Sequence, residues 1–313
     1  MNTGAFCYFR TQYSVARPAS GRHDGAMTIQ RHEDAELFWN TTKALFLQDP
    51  VRHTVAITVI SQLIEVPDSY RGSMMLTVHD NDGGLLGALF RTAPWPLSVS
   101  ALPVETHAEV VDYLLAEGIE TTGVGGPRDV ADPFTEAWIA ASGQTIEQTI
   151  PMRLYHLGQL EMPANVAGEF RLTGEADVAM VGGWWEDFFA EATHGGNPES
   201  GEHDVRKALE FGRAIGLWVD EGEPGSFAVA SPPRAGMSRI GPVYTPADKR
   251  GRGYGAAVTA QVAQWAVDQG AEHVLLFTDL DNPTSNSIYQ RIGFRPVFDA
   301  VEYVFADRHT LEA

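Results

Sequence analysis

The run Arg250-Gly251-Arg252-Gly253-Tyr254-Gly255 is where residue types and spacing point most directly to chemistry. An extended apolar stretch, Ile240-Gly241-Pro242-Val243-Tyr244-Thr245-Pro246, precedes it. A helical pattern from Ala256 to Gln269 follows, with Val258, Val262, Trp265 and Ala266 on one face. A glycine-rich turn between a strand and a helix suits an anion. Glycine lets the backbone approach a ligand with no Cβ in the way. The first helical turn offers N–H groups that have no intrahelical partner, and the helix dipole attracts negative charge. Arg250 and Arg252 flank the turn and can neutralise a phosphate. A plain surface connection uses the same glycines, so the turn alone leaves both readings open. It is not a P-loop, since no Lys-Ser/Thr ends it, and the Gly-x-Gly-x-x-Gly of dinucleotide sites is absent.

A second block follows. Residues 271–279 read as a buried strand, Leu280-Asp281-Asn282-Pro283 as a polar turn, and Thr284 to Arg291 as a short helix stopped by Gly293. Phe294-Arg295-Pro296-Val297 opens a last extended segment. Arg-x-x-Gly-x-Gly, a helix, a strand, then Asn-…-Ile-Tyr-x-x-x-Gly-Phe resembles the GNAT superfamily of acyl-CoA-dependent N-acyltransferases. The resemblance covers roughly residues 167–306 and is sharp over 240–298.

That resemblance implies an α/β (α+β) fold, a mixed and mostly antiparallel sheet flanked by helices, with acetyl-CoA as acyl donor. It puts the pyrophosphate on the backbone of Gly251 to Gly255, Tyr254 included. The peptide-like pantetheine arm would pair with strand backbone at Val243, Tyr244 and Thr245, where the family has a splayed strand pair. Pro242 suits such an edge, because it has no N–H for a ladder. The N–H near Val243 or Tyr244 would face the thioester oxygen. Tyr289 falls on the family tyrosine that protonates the departing thiolate. Its alternative is a tyrosine packed under the sheet. Asn282 and Asn286 fall where family side chains touch the cofactor, and Asn282 reads equally as a helix cap. Asp279 and Asp281 are the candidate general bases, with Asp281 equally a turn residue. Trp184, Trp185, Phe188 and Phe189 line the acceptor pocket or belong to the core, and Glu186 and Asp187 are candidates for binding a cationic acceptor.

At 313 residues the chain is long for one such domain and suited to two. No apolar run approaches the ~20 residues that span a bilayer. Residues 1–26 read as a flexible leader without a signal-peptide core. Cys7, the only cysteine, rules out an intrachain disulfide and fits a cytoplasmic location. The net charge of −19 argues against nucleic acid. Residues 161–223 hold fourteen Asp and Glu against four Lys and Arg, which suits either a solubilising surface or a wall that attracts amines. His32, His79, His194 and His203 fall in different elements without zinc spacing, so no metal is expected.

Residues 27–160 repeat the order of elements in 167–313, across a candidate linker from Gly158 to Gly168. Where the phosphate turn would fall, this half reads Leu102-Pro103-Val104-Glu105-Thr106-His107. It has no glycine, and Glu105 would repel a pyrophosphate. A degenerate first domain and a catalytic second one are therefore expected. Gly123-Val124-Gly125-Gly126-Pro127 reads as a plain turn, because Pro127 has no N–H to donate and no clear helix starts at Arg128.

The expected activity is acetyl transfer from acetyl-CoA to a primary amine, a small cationic molecule, by direct attack in a ternary complex, in a monomer or homodimer. The alternatives are an acyl-CoA-binding sensor that turns nothing over, and acetylation of protein N-termini or lysines.

Overall fold

The computed structural model describes residues 27–67, 72–192 and 200–306, so the expected leader with Cys7, and His194, lie outside the described residues. The first half runs β1 (Thr28–His32), α1 (Ala35–Phe46), α2 (Thr54–Glu65), β2 (Met74–His79), β3 (Leu85–Arg91), β4 (Leu97–Ala101), α3 (His107–Ala116), β5 (Gly123–Pro127), α4 (Arg128–Ser142) and β6 (Ile146–Leu157). The second half runs β7 (Glu169–Leu172), α5 (Val178–Ala192), α6 (Gly201–Glu210), β8 (Ala214–Asp220), β9 (Glu223–Ala230), β10 (Met237–Tyr244), α7 (Tyr254–Asp268), β11 (His273–Asp279), α8 (Pro283–Arg291) and β12 (Phe294–Phe305). The strand β1 has no counterpart in the sequence reading.

All twelve strands form one sheet in the order β1-β2-β3-β4-β5-β12-β6-β11-β10-β9-β8-β7. Only β4–β5 and β10–β11 pair in parallel; every other neighbouring pair is antiparallel. From either edge five strands of one half lead inward, and then comes the last strand of the other half. The two twelve-residue strands β6 and β12 have changed places. They pair with each other along almost their full length, from Phe294↔Leu157 to Phe305↔Ile146. The halves contiguous in sequence are thus interlocked in space.

Side chains alternate across the sheet, so each strand feeds two layers. On one face α7 and α8 pack on Tyr155, Leu157, Ile240, Leu276 and Phe294, and α3 and α4 pack on Leu76, Leu97, Val124 and Val301. On the other face Ile57, Ile60 and Leu63 of α2 reach Leu154, Met237 and Leu275, which joins the halves. There α5 and α6 cover Leu217, Phe227 and Tyr244.

Two sequence expectations are corrected. Gly123 to Pro127 is strand β5, not a turn. A Cβ on Gly123 would lie 1.9 Å from the Tyr303 carbonyl oxygen, so the glycine serves close strand approach. The helix α4 begins directly at Arg128, with Pro133 inside it. The candidate linker, Gly158 to Gly168, runs without helix or strand from β6 to β7 and is fastened along its way. The Gly158 and Glu161 N–H groups donate to the Gly293 and Ile292 carbonyls at 3.0 and 3.1 Å, and the Trp218 indole donates to Ala167 at 2.8 Å. At Gly293, φ is 107° and an added Cβ would sit 1.9 Å from the Gln159 carbonyl oxygen. That glycine is therefore needed to seat the segment that crosses from β6.

Candidate functional site

The site begins where β10 leaves β11. The two pair from Met237↔His273 to Ile240↔Leu276, and the pairing then stops. A register shift between Ile240 and Val243 keeps β10 on β9 through Tyr244. Residues 241–244 are thus released from β11, and a cleft opens opposite Phe277, Thr278 and Asp279. A released strand edge presents unpaired backbone groups, which suits an added peptide-like strand. The parallel pair of the first half, β4 and β5, is also paired over part of its length only, from Leu97↔Val124 to Ser98↔Gly125, but its strands stay closer beyond that point. In the first half a Cβ on Gly126 of β5 would lie 3.6 Å from the Ser100 nitrogen of β4, whereas one on Gly241 meets nothing within 4 Å.

The glycine turn lies beside this cleft. Gly251 and Gly253 have φ of 80° and 86°, a left-handed backbone that glycine adopts without Cβ strain. Gly253 caps α7 and contributes no side-chain bond. The first N–H groups of α7 therefore stay available to an anion. Tyr254 is fixed by its hydroxyl on Asp220. The Thr245 hydroxyl shares a hydrogen bond with Ser226 at 2.8 Å, and Ser226 also donates to the Tyr244 carbonyl at 2.7 Å. The two arginines differ. Arg250 donates to Thr245 O at 2.9 Å, pairs with Glu191 at 2.6 Å and lies 5.8 Å from the Tyr244 ring centre. Arg252 is held through Tyr254, a contact that raises its pKa further. Arg250 thus braces β10 against α5, and Arg252 is the cation at the turn itself.

Tyr289 packs edge-on against Phe294 at 6.2 Å, in the cluster formed with α7. Burial pushes its phenol up to about 12. Asn286 is committed to structure. Its Oδ1 accepts from the Tyr155 hydroxyl at 2.9 Å, and its Nδ2 donates to the Asp279 and Asn282 carbonyls at 2.8 Å each. Asn282 caps α8 by accepting from the Ser285 N–H at 3.0 Å. Asp279 shares the face of Leu275 and Phe277, toward α2 and α5, and its Oδ1 accepts the Asp281 N–H at 2.7 Å. Asp281 is exposed in the turn.

On α5, Trp184 and Trp185 stack on Phe227 with ring centres 6.4 and 5.9 Å away, and Trp185 is buried. Glu186 accepts the Gly201 N–H at 2.7 Å and so ties α5 to α6. Asp187 and Glu191 point their charge at Tyr244. Burial first, then Glu191 and Asp187, hold that phenol above its ordinary range, and its hydroxyl donates to Glu191 at 3.2 Å. Phe189 meets Trp95 of the β3–β4 connection at 6.0 Å, so the first half closes one side of the α5 wall.

Tyr155 and Glu302 were missed by the sequence reading. Tyr155 stands on a strand of the first half yet fastens α8, with Gln290 donating to its hydroxyl at 3.1 Å. Only the strand exchange brings it there. Glu302 on β12 pairs in register with Gly125 and Ile150. A Cβ on Gly125 would lie 3.6 Å from Pro96 Cγ and 4.0 Å from Glu302 Cγ, so the carboxyl sits under the β3–β4 connection. Burial raises it to about 7 from an ordinary 4.5. In the fold it keeps its proton up to about pH 7, and in the unfolded chain only up to about 4.5. The contribution to stability is therefore fully present below about pH 4.5 and is lost as pH rises through 7. Glu302→Gln is expected to unfold like the parent at pH 4 and to exceed it at pH 8 by about 3 kcal/mol. Equal denaturation midpoints at pH 8 would contradict this.

Residues 179–294 match the family model for the acetyltransferase (GNAT) family. The chain is 28% identical over 123 residues to a mycothiol acetyltransferase of Saccharomonospora viridis, covering 34% of this chain and 40% of that protein. It spans less than half the length of the curated relatives it matches. Among solved structures, a GNAT-family acetyltransferase from Colwellia psychrerythraea superposes with a TM-score of 0.58 at 12% identity, over 89% of this chain and all of that one. A tandem GNAT protein from the clavulanic acid biosynthesis pathway does so with a TM-score of 0.53 at 14% identity, over 90% and 97%. Residues 179–294 are thus those of a GNAT-family domain, and the chain shares the fold of these solved GNAT structures over most of its length. Among the described residues no helix is long and apolar enough to cross a membrane.

Proposed function

We propose that the chain is an N-acetyltransferase that moves an acetyl group from acetyl-CoA to a primary amine on a small cationic molecule, by direct attack in a ternary complex. The observation that carries this is the release of Gly241–Tyr244 from β11 beside the uncapped start of α7. A strand edge for an amide-bearing arm and a helix terminus for a pyrophosphate suit the two parts of coenzyme A. The name of the matched relatives supports acetyl transfer as the reaction class.

Acetyl-CoA supplies the acyl group already activated as a thioester. The Val243 or Tyr244 N–H stabilises negative charge on the acyl oxygen, an effect of roughly 3–4 kcal/mol for one oriented donor. Asp279 accepts the ammonium proton, directly or through water, which frees the nitrogen lone pair for attack on the carbonyl carbon. The carbon–sulfur bond breaks, Tyr289 gives its proton to sulfur, and the second proton that the nitrogen sheds on becoming an amide restores the phenol through solvent. The charges of Asp187 and Glu191 favour cationic acceptors. The first half takes no cofactor in this reading, since β4 and β5 stay close at Gly126 and Glu105 stands in the corresponding turn.

The test is free-thiol release from acetyl-CoA with a panel of amines. Release is expected with small cationic amines and not with neutral alcohols. Binding of acetyl-CoA without release from any amine would replace this reading with an acyl-CoA sensor. Release only with basic peptides would move the acceptor to protein N-termini or lysines.

A further inference from the structure

On the α8 side of the sheet, an open groove of about 610 Å³ crosses from β6 of the first half to β12 of the second. Small-molecule sites typically measure roughly 300–1,000 Å³ and favour the boundary between domains. Arg153 and Tyr155 of β6, Arg291 of α8 and Arg295 of β12 line the groove, and no acidic residue does. The chain carries 41 acidic side chains against 22 Lys and Arg, so three arginines along one groove run against its composition.

The three arginines are not equivalent. Arg153 stands in register with Asp299 and grips its carboxylate with two donors, at 2.6 and 3.0 Å, so its charge is matched. Arg291 donates to the Ser287 hydroxyl at 2.6 Å, and Arg295 donates to the Gln290 and Phe294 carbonyls at 3.1 and 3.0 Å. Those partners are neutral, and neither arginine pairs with a carboxylate among the described residues. The contacts use one nitrogen of each guanidinium, a group with five N–H donors. The forks of Arg291 and Arg295 therefore keep donors for a carboxylate or phosphate, whose geometry they match. The rest of the lining is ordered. The Tyr155 hydroxyl donates to Asn286 at 2.9 Å and accepts from Gln290 at 3.1 Å, and Leu280 and Pro283 supply apolar surface. This is not the cofactor cleft. At 3.6 residues per turn, Pro283, Asn286, Ser287, Gln290 and Arg291 share one face of α8. Tyr289 and Ile292 fall on the opposite face and pack with α7.

We propose that this groove binds a small molecule through its carboxylate or phosphate groups, with Arg291 and Arg295 as the cations that select it. Arg153, matched by Asp299, shapes the site without adding net charge. Arg291 and Arg295 are exposed, so salt weakens the attraction. An occupant would rest on Asn286 and Gln290, through which Tyr155 fastens α8. It would therefore brace that helix on the side opposite Tyr289.

The experiment is a calorimetric titration of the full chain with citrate and, separately, with inorganic phosphate, at constant low ionic strength. Acetyl-CoA is present at saturation, because the glycine turn can also take an anion. If the chain does not bind acetyl-CoA, Arg252→Gln replaces saturation as the control for that turn. The parent is compared with Arg291→Gln and with the double variant Arg291→Gln/Arg295→Gln. At least one probe is expected to bind, about threefold weaker in Arg291→Gln and at least about tenfold weaker in the double variant. If the double variant does not melt cooperatively, Arg291→Lys takes its place, since it keeps the charge and loses the fork. A loss of about threefold then supports the site, and an unchanged affinity overturns it. Binding of citrate alone assigns the site to carboxylates, and binding of phosphate alone assigns it to phosphates. Binding of neither probe, binding that acetyl-CoA abolishes, or an unchanged affinity in the double variant overturns the proposal. The readout needs no turnover, so it stands or falls separately from acetyl transfer.

Discussion

Tyr289→Phe is expected to lower kcat by roughly 10²–10⁴-fold, the range for loss of a positioned general acid, with little change in affinity for acetyl-CoA. The substitution removes one oxygen from a ring that packs on Phe294 and α7, so the hydrophobic contacts persist. The melting temperature should hardly move, and this separates a chemical role from a packing role. The phenol's pKa of about 12 gives a second readout. A raised value means that the proton is still present throughout the neutral and mildly alkaline range. The parent enzyme should therefore show no alkaline fall in rate from Tyr289 below about pH 11. Burial also raises the basicity of a thiolate formed beside it, which keeps donor and acceptor matched. An alkaline limb near pH 9 that vanishes in Tyr289→Phe would assign the acid a different environment. Unchanged kcat in the variant would leave Tyr289 as a core residue and pass protonation of sulfur to water.

Local pattern carried the elements that hold this site. The 3.6-residue spacing of Val258, Val262 and Ala266 announced α7, and all three are buried against the sheet. The glycines at 251 and 253 proved to need the backbone that only glycine adopts without strain. Side-chain partners were less legible. Arg250 and Arg252 look equivalent in the sequence, yet Glu191, fifty-nine residues earlier in the chain, draws Arg250 to α5. Asn286 looked like a ligand residue, and Tyr155 occupies its oxygen from 131 residues away. Gly123 to Pro127 read as a turn because glycine and proline usually punctuate; the reason for them lies in strand β12, which no window around residue 125 contains.

Expressed apart, residues 27–160 and 167–313 are each expected to show no cooperative thermal transition, and to recover one when co-expressed. Each fragment would carry a strand whose place is in the other's sheet. The second would keep β11 without β6, which exposes the β11 edge and removes Leu154, Tyr155 and Leu157 from beside its core residues. Burying three such side chains is worth about 4.5–9 kcal/mol at roughly 1.5–3 each, comparable to the whole stability of an ordinary domain at roughly 5–15 kcal/mol. Loss of Tyr155 would also free Asn286 and Gln290, which hold α8, and with it the helix that carries Tyr289. The first fragment would keep β5 without β12, which leaves a glycine-rich edge of five residues exposed and empties the seats of Val301 and Phe305 beside Trp138. A cooperative melt by 167–313 alone, with acetyl-CoA bound, would mean that the exchanged strands are replaceable. Recovery only on co-expression would mean that the half matching the family cannot assemble its site without the half that does not, which is a physical reason for the first half to be kept.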